Sequence, residues 1–158
     1  MSTTEMSQGA RADAEGGASP VTPIRQLFAV PFIDHLGMVL TRFEGGHSEM
    51  RYEAKPEHLN NFEVTHGGAC MTLLDVAMAA AARSLRPEMG VITIEMKTSF
   101  MNSARGPLVA SGHVLQATGR MAFTEARIED AEGRLCAHAT GTFKYVPRKP
   151  SMSAPPTD

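Results

Sequence analysis

The chain is poor in cysteine: it has only Cys70 and Cys136, and their spacing matches no zinc motif. A disulfide-stapled fold would use more, so both are expected as reduced thiols in a cytoplasmic protein. No apolar run reaches the roughly 18 residues that a membrane-spanning helix needs, and no secretory apolar core is present. Membrane spanning and export are therefore not expected. An excess of one charge is also missing. Fifteen Lys and Arg stand against 17 Asp and Glu, for a net charge of -2, and no basic cluster forms. Such a balance gives no field for DNA or RNA. His35, His47, His58, His113 and His138 show no metal-ligand pattern, so neither a metal nor another cofactor is expected.

A length of 158 residues allows one domain with tails, and 42% hydrophobic content suits a globular one. Residues 1–22 are small and polar and read as a disordered leader, and 147–158 read as a second loose tail. Residues 23–146 form the domain. Within it, Ile24 to Phe28 suggests one or two helical turns. Met38 to Phe43 and His47 to Ala54, separated by Glu44-Gly45-Gly46, read as a hairpin. A helix is expected from about Gly67 to Leu85. Val91 to Met101 reads as a strand with Ile92, Ile94, Met96 and Phe100 on one face and Thr93, Glu95 and Lys97 on the other. Leu108 to Ala117, Met121 to Glu129 and Arg134 to Val146 follow, joined by turn chemistry at Thr118-Gly119-Arg120 and Asp130-Ala131-Glu132-Gly133. The class is α+β, with one antiparallel sheet wrapped around one buried helix. One helix on one sheet leaves surface uncovered, so association through the sheet edge or the helix is expected.

The most informative segment runs from Asn60 to Asp75. A polar loop enters the turn His66-Gly67-Gly68 and then a helix with one carboxylate two turns inside. Two glycines at a helix start let another molecule approach free N–H groups at the positive end of the dipole. That arrangement suits a phosphate, or a carbonyl oxygen that turns negative during reaction. Asp75 lies among Leu73, Leu74, Val76 and Ala77, where an unpaired carboxylate is costly to bury. After it, Ala77 to Ala82 carries no charge, so the helix reads as buried and Asp75 as functional. Cys70, in the first helical turn, reads as a packed residue rather than a nucleophile. The chain has 11 methionines; those of the domain fill the core by default and could line an adaptable acyl groove.

The order of elements, together with Asn60-x5-His66-Gly67-Gly68, Leu73-Leu74-Asp75, Thr93-Ile94-Glu95-Met96 and Gly133-Arg134-Leu135-Cys136-Ala137, resembles the hotdog-fold acyl-CoA thioesterases of the phenylacetate-degradation type. The resemblance covers roughly residues 30–146. It implies a sheet curled round a central helix, pairing into homodimers and commonly into dimers of dimers. The implied reaction is hydrolysis of an acyl-CoA, in which coenzyme A is part of the substrate. Asp75 matches the carboxylate that acts as nucleophile or as general base on water. The Gly67 N–H matches the donor to the thioester carbonyl, and His66 supports that turn. Asn60 matches an amide that positions water or the acyl group, and Thr93 a hydroxyl that helps hold the water. The CoA phosphates would meet basic side chains, drawn from Arg83, Arg86, Lys97, Arg105 and Arg120. In one respect the chain departs from the pattern. Many members carry a Gly between the Asn and the His-Gly-Gly, whereas Phe62-Glu63-Val64 has none. By itself Asn60 also reads as a turn residue and Thr93 as an ordinary strand residue.

Helix geometry adds a constraint. The eight residues from Gly67 to Asp75 span roughly 12 Å along the axis, and the backward lean of the Asp75 side chain recovers only part of it. One carbonyl cannot meet both groups of a single chain. Two antiparallel helices across a two-fold axis would bring Gly67 of one copy to Asp75 of the other, so the catalytic unit is expected to be a dimer with shared sites. A hotdog dehydratase would use a His with an acid in other motifs. The alternative from another class is a non-catalytic acyl-CoA binding or sensing domain, which thiol release from an acyl-CoA panel would distinguish.

Overall fold

The sheet begins with a hairpin fixed by glycine. In the computed structural model, which describes residues 30–148, β1 (Val39–Glu44) turns into β2 (His47–Glu53) through Gly45 and Gly46. Both glycines have positive φ, 54° and 84°, as a two-residue turn matching strand twist requires. Before it stands α1 (Pro31–Leu36), whose Ile33 and Leu36 are buried. The helical turns expected at 24–28 lie outside the described residues, as do the leader and all of the tail beyond Arg148. After the hairpin come α2 (Gly67–Ser84), β3 (Met89–Phe100), β4 (Pro107–Ala117), β5 (Met121–Asp130) and β6 (Leu135–Pro147). The last strand therefore takes in Pro147, the first residue of the segment read as a tail.

One antiparallel sheet contains all six strands in the order β1-β2-β4-β5-β6-β3. The meander β4-β5-β6 follows from the two turns seen in the sequence. The placement of β3 does not: it crosses to the far edge and pairs with β6. Helix α2 packs on one sheet face and buries Leu73, Leu74, Ala77, Met78, Ala80, Ala81 and Ala82 completely. The α+β architecture of one sheet around one long helix is thus what the chain adopts.

The face assignment of β3 needs correction. Its register shifts between Thr93 and Glu95: Thr93 stands opposite the fully buried Phe143, Glu95 opposite Thr142 and Met96 opposite Gly141. Ile94 is the extra residue of a bulge, and one extra residue exchanges the two faces. Val91, Thr93, Met96 and Phe100 consequently share the helix side. Ile92 joins Glu95 and Lys97 on the outer side and is exposed, as is Ile94.

Helix and sheet meet most closely at Gly112. A Cβ placed there would lie 2.6 Å from the Ala77 carbonyl oxygen. Ser48 uses the same oxygen, donating its hydroxyl at 2.6 Å across the buried interface. At the far end of the helix, Tyr145 donates to the Ala82 carbonyl at 2.9 Å and Ser84 to that of Ala81 at 2.8 Å. These bonds add side-chain donors to carbonyls in the last turn of the helix. Gly112→Ala forces backbone against backbone, so it should cost about 2–3 kcal/mol. A denaturant midpoint within error of the wild type would show that the helix docks with slack.

Candidate active site

The loop that leads into α2 is built on Asn60. Its Oδ1 accepts the Phe62 N–H at 2.9 Å and the Val64 N–H at 3.4 Å, while its own N–H donates to the Val64 carbonyl at 2.9 Å. The side-chain oxygen is occupied by the turn, whereas no hydrogen bond among the described residues uses the side-chain NH2. Asn60 is therefore the turn residue its type suggests, and it also lines a cleft. Inside this turn Glu63 takes φ 56°, the left-handed region, and it is the one non-glycine residue to do so among those described. This is the stretch in which the family resemblance would place a glycine, and here a glutamate takes the left-handed conformation. Arg105 helps to hold it, donating to the Glu63 carbonyl at 2.9 Å.

At the helix start His66 is the N-cap, and its Nδ1 accepts the Gly68 N–H at 2.9 Å. The cap satisfies one terminal donor and leaves another: no bond among the described residues uses the Gly67 N–H. A Cβ on Gly67 would touch the Phe100 ring at 3.4 Å, so glycine keeps this approach narrow but open. Gly67 and Asn60 line a cleft of about 340 Å³ with Phe100, Asn102 and Cys70. Cys70 is 2% exposed, and burial pushes its thiol up to about 11. It is a packed thiol, not a nucleophile.

Asp75 lies in a different cleft. Thr93 donates to its Oδ1 at 2.8 Å, and no bond among the described residues uses Oδ2. The cleft holds about 480 Å³. Met71, Val76 and Ala79 of α2, Val91 and Met96 of β3 and Phe32 of α1 supply its apolar lining. Burial raises the Asp75 pKa above its ordinary 3.8, and the Thr93 hydrogen bond works against that rise. The β3 bulge makes this pairing possible, because it puts Thr93 on the helix side without turning Met96 and Phe100 away.

Four of the five expected site residues thus line clefts, in two groups: Asn60 and Gly67 at the helix start, Asp75 and Thr93 further along; His66 lines neither cleft and serves as the cap of the helix. Of the basic residues, only Arg105 is brought to the loop. Arg83 is buried, with 6% exposure, and Arg86 packs over the Tyr145 ring at 4.9 Å and donates to the Gly119 carbonyl. Sequence reasoning missed Phe32, and it offered Arg105 as a candidate for the CoA phosphates rather than as a support of the loop. Each reaches its group from a distant element, and no local pattern marks such a contact.

Comparison with known proteins follows the same lines. The thioesterase superfamily model matches residues 62–137, which hold the His-Gly-Gly turn, Asp75 and Thr93. The medium/long-chain acyl-CoA thioesterase YigI of Escherichia coli is 24% identical over 136 residues, covering 74% of this chain and 86% of YigI. Among solved structures, the conserved protein PA5202 of Pseudomonas aeruginosa superposes with a TM-score of 0.74 at 26% identity, over 78% of this chain and 100% of that one. The PaaI protein of the Escherichia coli phenylacetic acid degradation operon gives 0.70 at 18% identity, over 75% and 86% of the two chains, which is a likeness of fold. The central segment thus matches the thioesterase superfamily, and the whole described domain has the hotdog architecture.

Proposed function

We propose that this protein hydrolyses acyl-CoA thioesters to the free acid and CoA at sites shared between two copies. The observation that carries the reading is Asp75 itself: a half-buried carboxylate that lines an apolar cleft, held through one oxygen by Thr93 and with the other oxygen free of hydrogen bonds among the described residues. A thioester carbonyl is electrophilic enough to need only an oxyanion donor and an attacking oxygen. Asp75 Oδ2 either attacks the carbonyl carbon, giving an anhydride that water then hydrolyses to the free acid, or takes a proton from the water that attacks directly. The carbonyl oxygen gains negative charge against the Gly67 N–H of the other copy, and the C–S bond breaks to release the CoA thiolate. Removing such a donor typically costs on the order of 3 kcal/mol of transition-state stabilisation.

The separation of Gly67 and Asp75 into two clefts of one subunit supports sharing. So does β3, a strand of 12 residues at the edge of the sheet. Antiparallel pairing of two such edges would continue the sheet and set the helices antiparallel across a two-fold axis. We read the assembly as a homodimer and its higher form as a dimer of dimers. No helix among the described residues is long and apolar enough to cross a membrane. Together with two free buried cysteines this fits a cytoplasmic protein. The chemistry asks for no metal, so thiol release should persist in excess chelator; complete loss restored by zinc would contradict this reading.

Replacing Asp75 by Asn keeps the shape and removes the function. Turnover should fall at least about a hundredfold. Stability should move the other way, and the sign follows from linkage. The raised folded-state pKa means that the folded protein holds this proton longer than the unfolded chain does. Stability therefore falls as pH rises from the ordinary carboxylate range through the raised value, and the cost is fully present above that value. Asp75→Asn should melt no lower than the wild type at pH 7, with its relative gain shrinking as pH falls through the raised value and gone below about pH 4. A folded variant with near-normal turnover would make Asp75 a structural residue.

Shared sites can be tested by complementation. Gly67→Pro removes the unused N–H, and His66 already has φ -58° and ψ 137°, which suits a residue before proline. Gly67→Pro and Asp75→Asn should each be nearly inactive. After free subunit exchange half the dimers are mixed and half their sites intact, giving roughly a quarter of wild-type activity. A dead mixture, with exchange shown by labelled subunits, would place each site within one chain.

A further inference from the structure

The cleft beside Asp75 has a direction. Thr93 bonds Asp75, and Phe100 lies against Gly67, so β3 runs back along α2. Met71 and Met96 accordingly mark the end of the cleft toward the helix start, and Ala79 and Val91 the opposite end. Met71 is 40% exposed, which leaves the first end open. Ala79, one turn beyond Asp75, gives the second end room that a larger side chain would fill. Phe32, from α1, also lines this cleft. Its polar hydroxyls are engaged: Thr72 donates to the Gly68 carbonyl and Thr93 to Asp75. Among the described residues no Lys, Arg or His lines it, and its one charge is the carboxylate of Asp75.

Resting on the hydrolase reading, we propose that this cleft receives the acyl group, that Ala79 sets how long a group it takes, and that acyl groups ending in a second carboxylate are rejected. An apolar lining rewards each buried methylene, so kcat/KM should rise about fourfold per added CH2 until the chain meets Ala79. A terminal carboxylate would lose its water with no cation to receive it, in the field of Asp75.

The test compares straight-chain acyl-CoAs from butyryl to dodecanoyl, and glutaryl-CoA with pentanoyl-CoA, by thiol release. Ala79→Leu adds three carbons at a helical position that tolerates leucine. It should lower the octanoyl-to-butyryl ratio of kcat/KM at least tenfold. Phe32→Ala alters a side chain that is 57% exposed, so folding is spared, and should lower the same ratio at least threefold. Ala131→Leu, in the exposed β5–β6 turn, serves as the control and should leave the ratio unchanged. Glutaryl-CoA should be at least a hundredfold poorer than pentanoyl-CoA. Unchanged ratios in folded, active Ala79→Leu and Phe32→Ala would overturn the assignment, as would glutaryl-CoA within tenfold of pentanoyl-CoA. Should no acyl-CoA release thiol, the hydrolase reading fails, and the cleft is judged by binding alone. Octyl-CoA thioether must then bind the wild type more tightly than butyl-CoA thioether, and Ala79→Leu must remove that preference.

Discussion

The docking of α2 against the sheet governs everything else at the site. The helix comes within backbone contact of β4 because Gly112 has no side chain, and Ser48 fastens the Ala77 carbonyl on the same line. Alanines at 77 and 80–82 keep that face thin, and the helix is also fixed at both ends. His66 caps its start, and Tyr145 and Ser84 take up carbonyls near its finish. A helix held at three levels cannot slide by a fraction of a turn. This rigidity matters because the Gly67 N–H and the Asp75 carboxylate both ride on the helix, with Thr93 of β3 orienting the second. An error of an ångström in their relation to substrate is expensive in rate.

Asp75 shows how stability and function pull apart on such a scaffold. A hydrophobic residue in its place would pack better and carry no desolvation cost. Thr93 recovers part of that cost through one oxygen and leaves the other free of hydrogen bonds among the described residues. Full satisfaction of both oxygens would lower the pKa further and leave no lone pair for chemistry. The half-satisfied carboxylate is the arrangement a base or nucleophile needs, which is why its incomplete hydrogen bonding reads as function rather than as a defect.

Much of this was legible in the sequence, for reasons that can be stated residue by residue. The helix declared itself through a cap, two glycines and an uncharged run, and its observed limits fall within one residue of those expected. The hairpin was fixed by Gly45 and Gly46, and the meander by turn residues between alternating strands. Asp75 was visible because a carboxylate among leucines and alanines needs a reason. The bulge at Ile94 was not visible, because a period of two cannot announce where it breaks. Reading through it put Ile92 and Ile94 with Met96 and sent Thr93 outward, away from its true partner. The place of β3 at the far sheet edge was hidden for another reason: pairing with β6 is a long-range choice that no neighbouring residue encodes. The left-handed turn at Glu63 was hidden as well. No residue type there announces a left-handed conformation, and bonds from Asn60 and Arg105 hold the loop with a glutamate in the strained position.

The division of the site into two clefts links this geometry to assembly. A helix rises about 1.5 Å per residue, so no bending of side chains brings Gly67 and Asp75 of one uninterrupted helix onto one carbonyl. A fold of this kind has two ways to bring them together: break the helix, or supply the second group from another copy. Breaking α2 would undo the packing that positions Asp75, whose neighbours Leu73, Leu74, Ala77 and Met78 are buried completely. Two copies meeting along β3 would leave both helices intact. In that arrangement, the edge strand that a lone subunit leaves unpaired, the exposed Ile92 and Ile94 on it, and the unused N–H at Gly67 all acquire a use from one event of association. Catalytic competence and burial of the sheet edge then become the same equilibrium, and dilution of the protein would cost both at once.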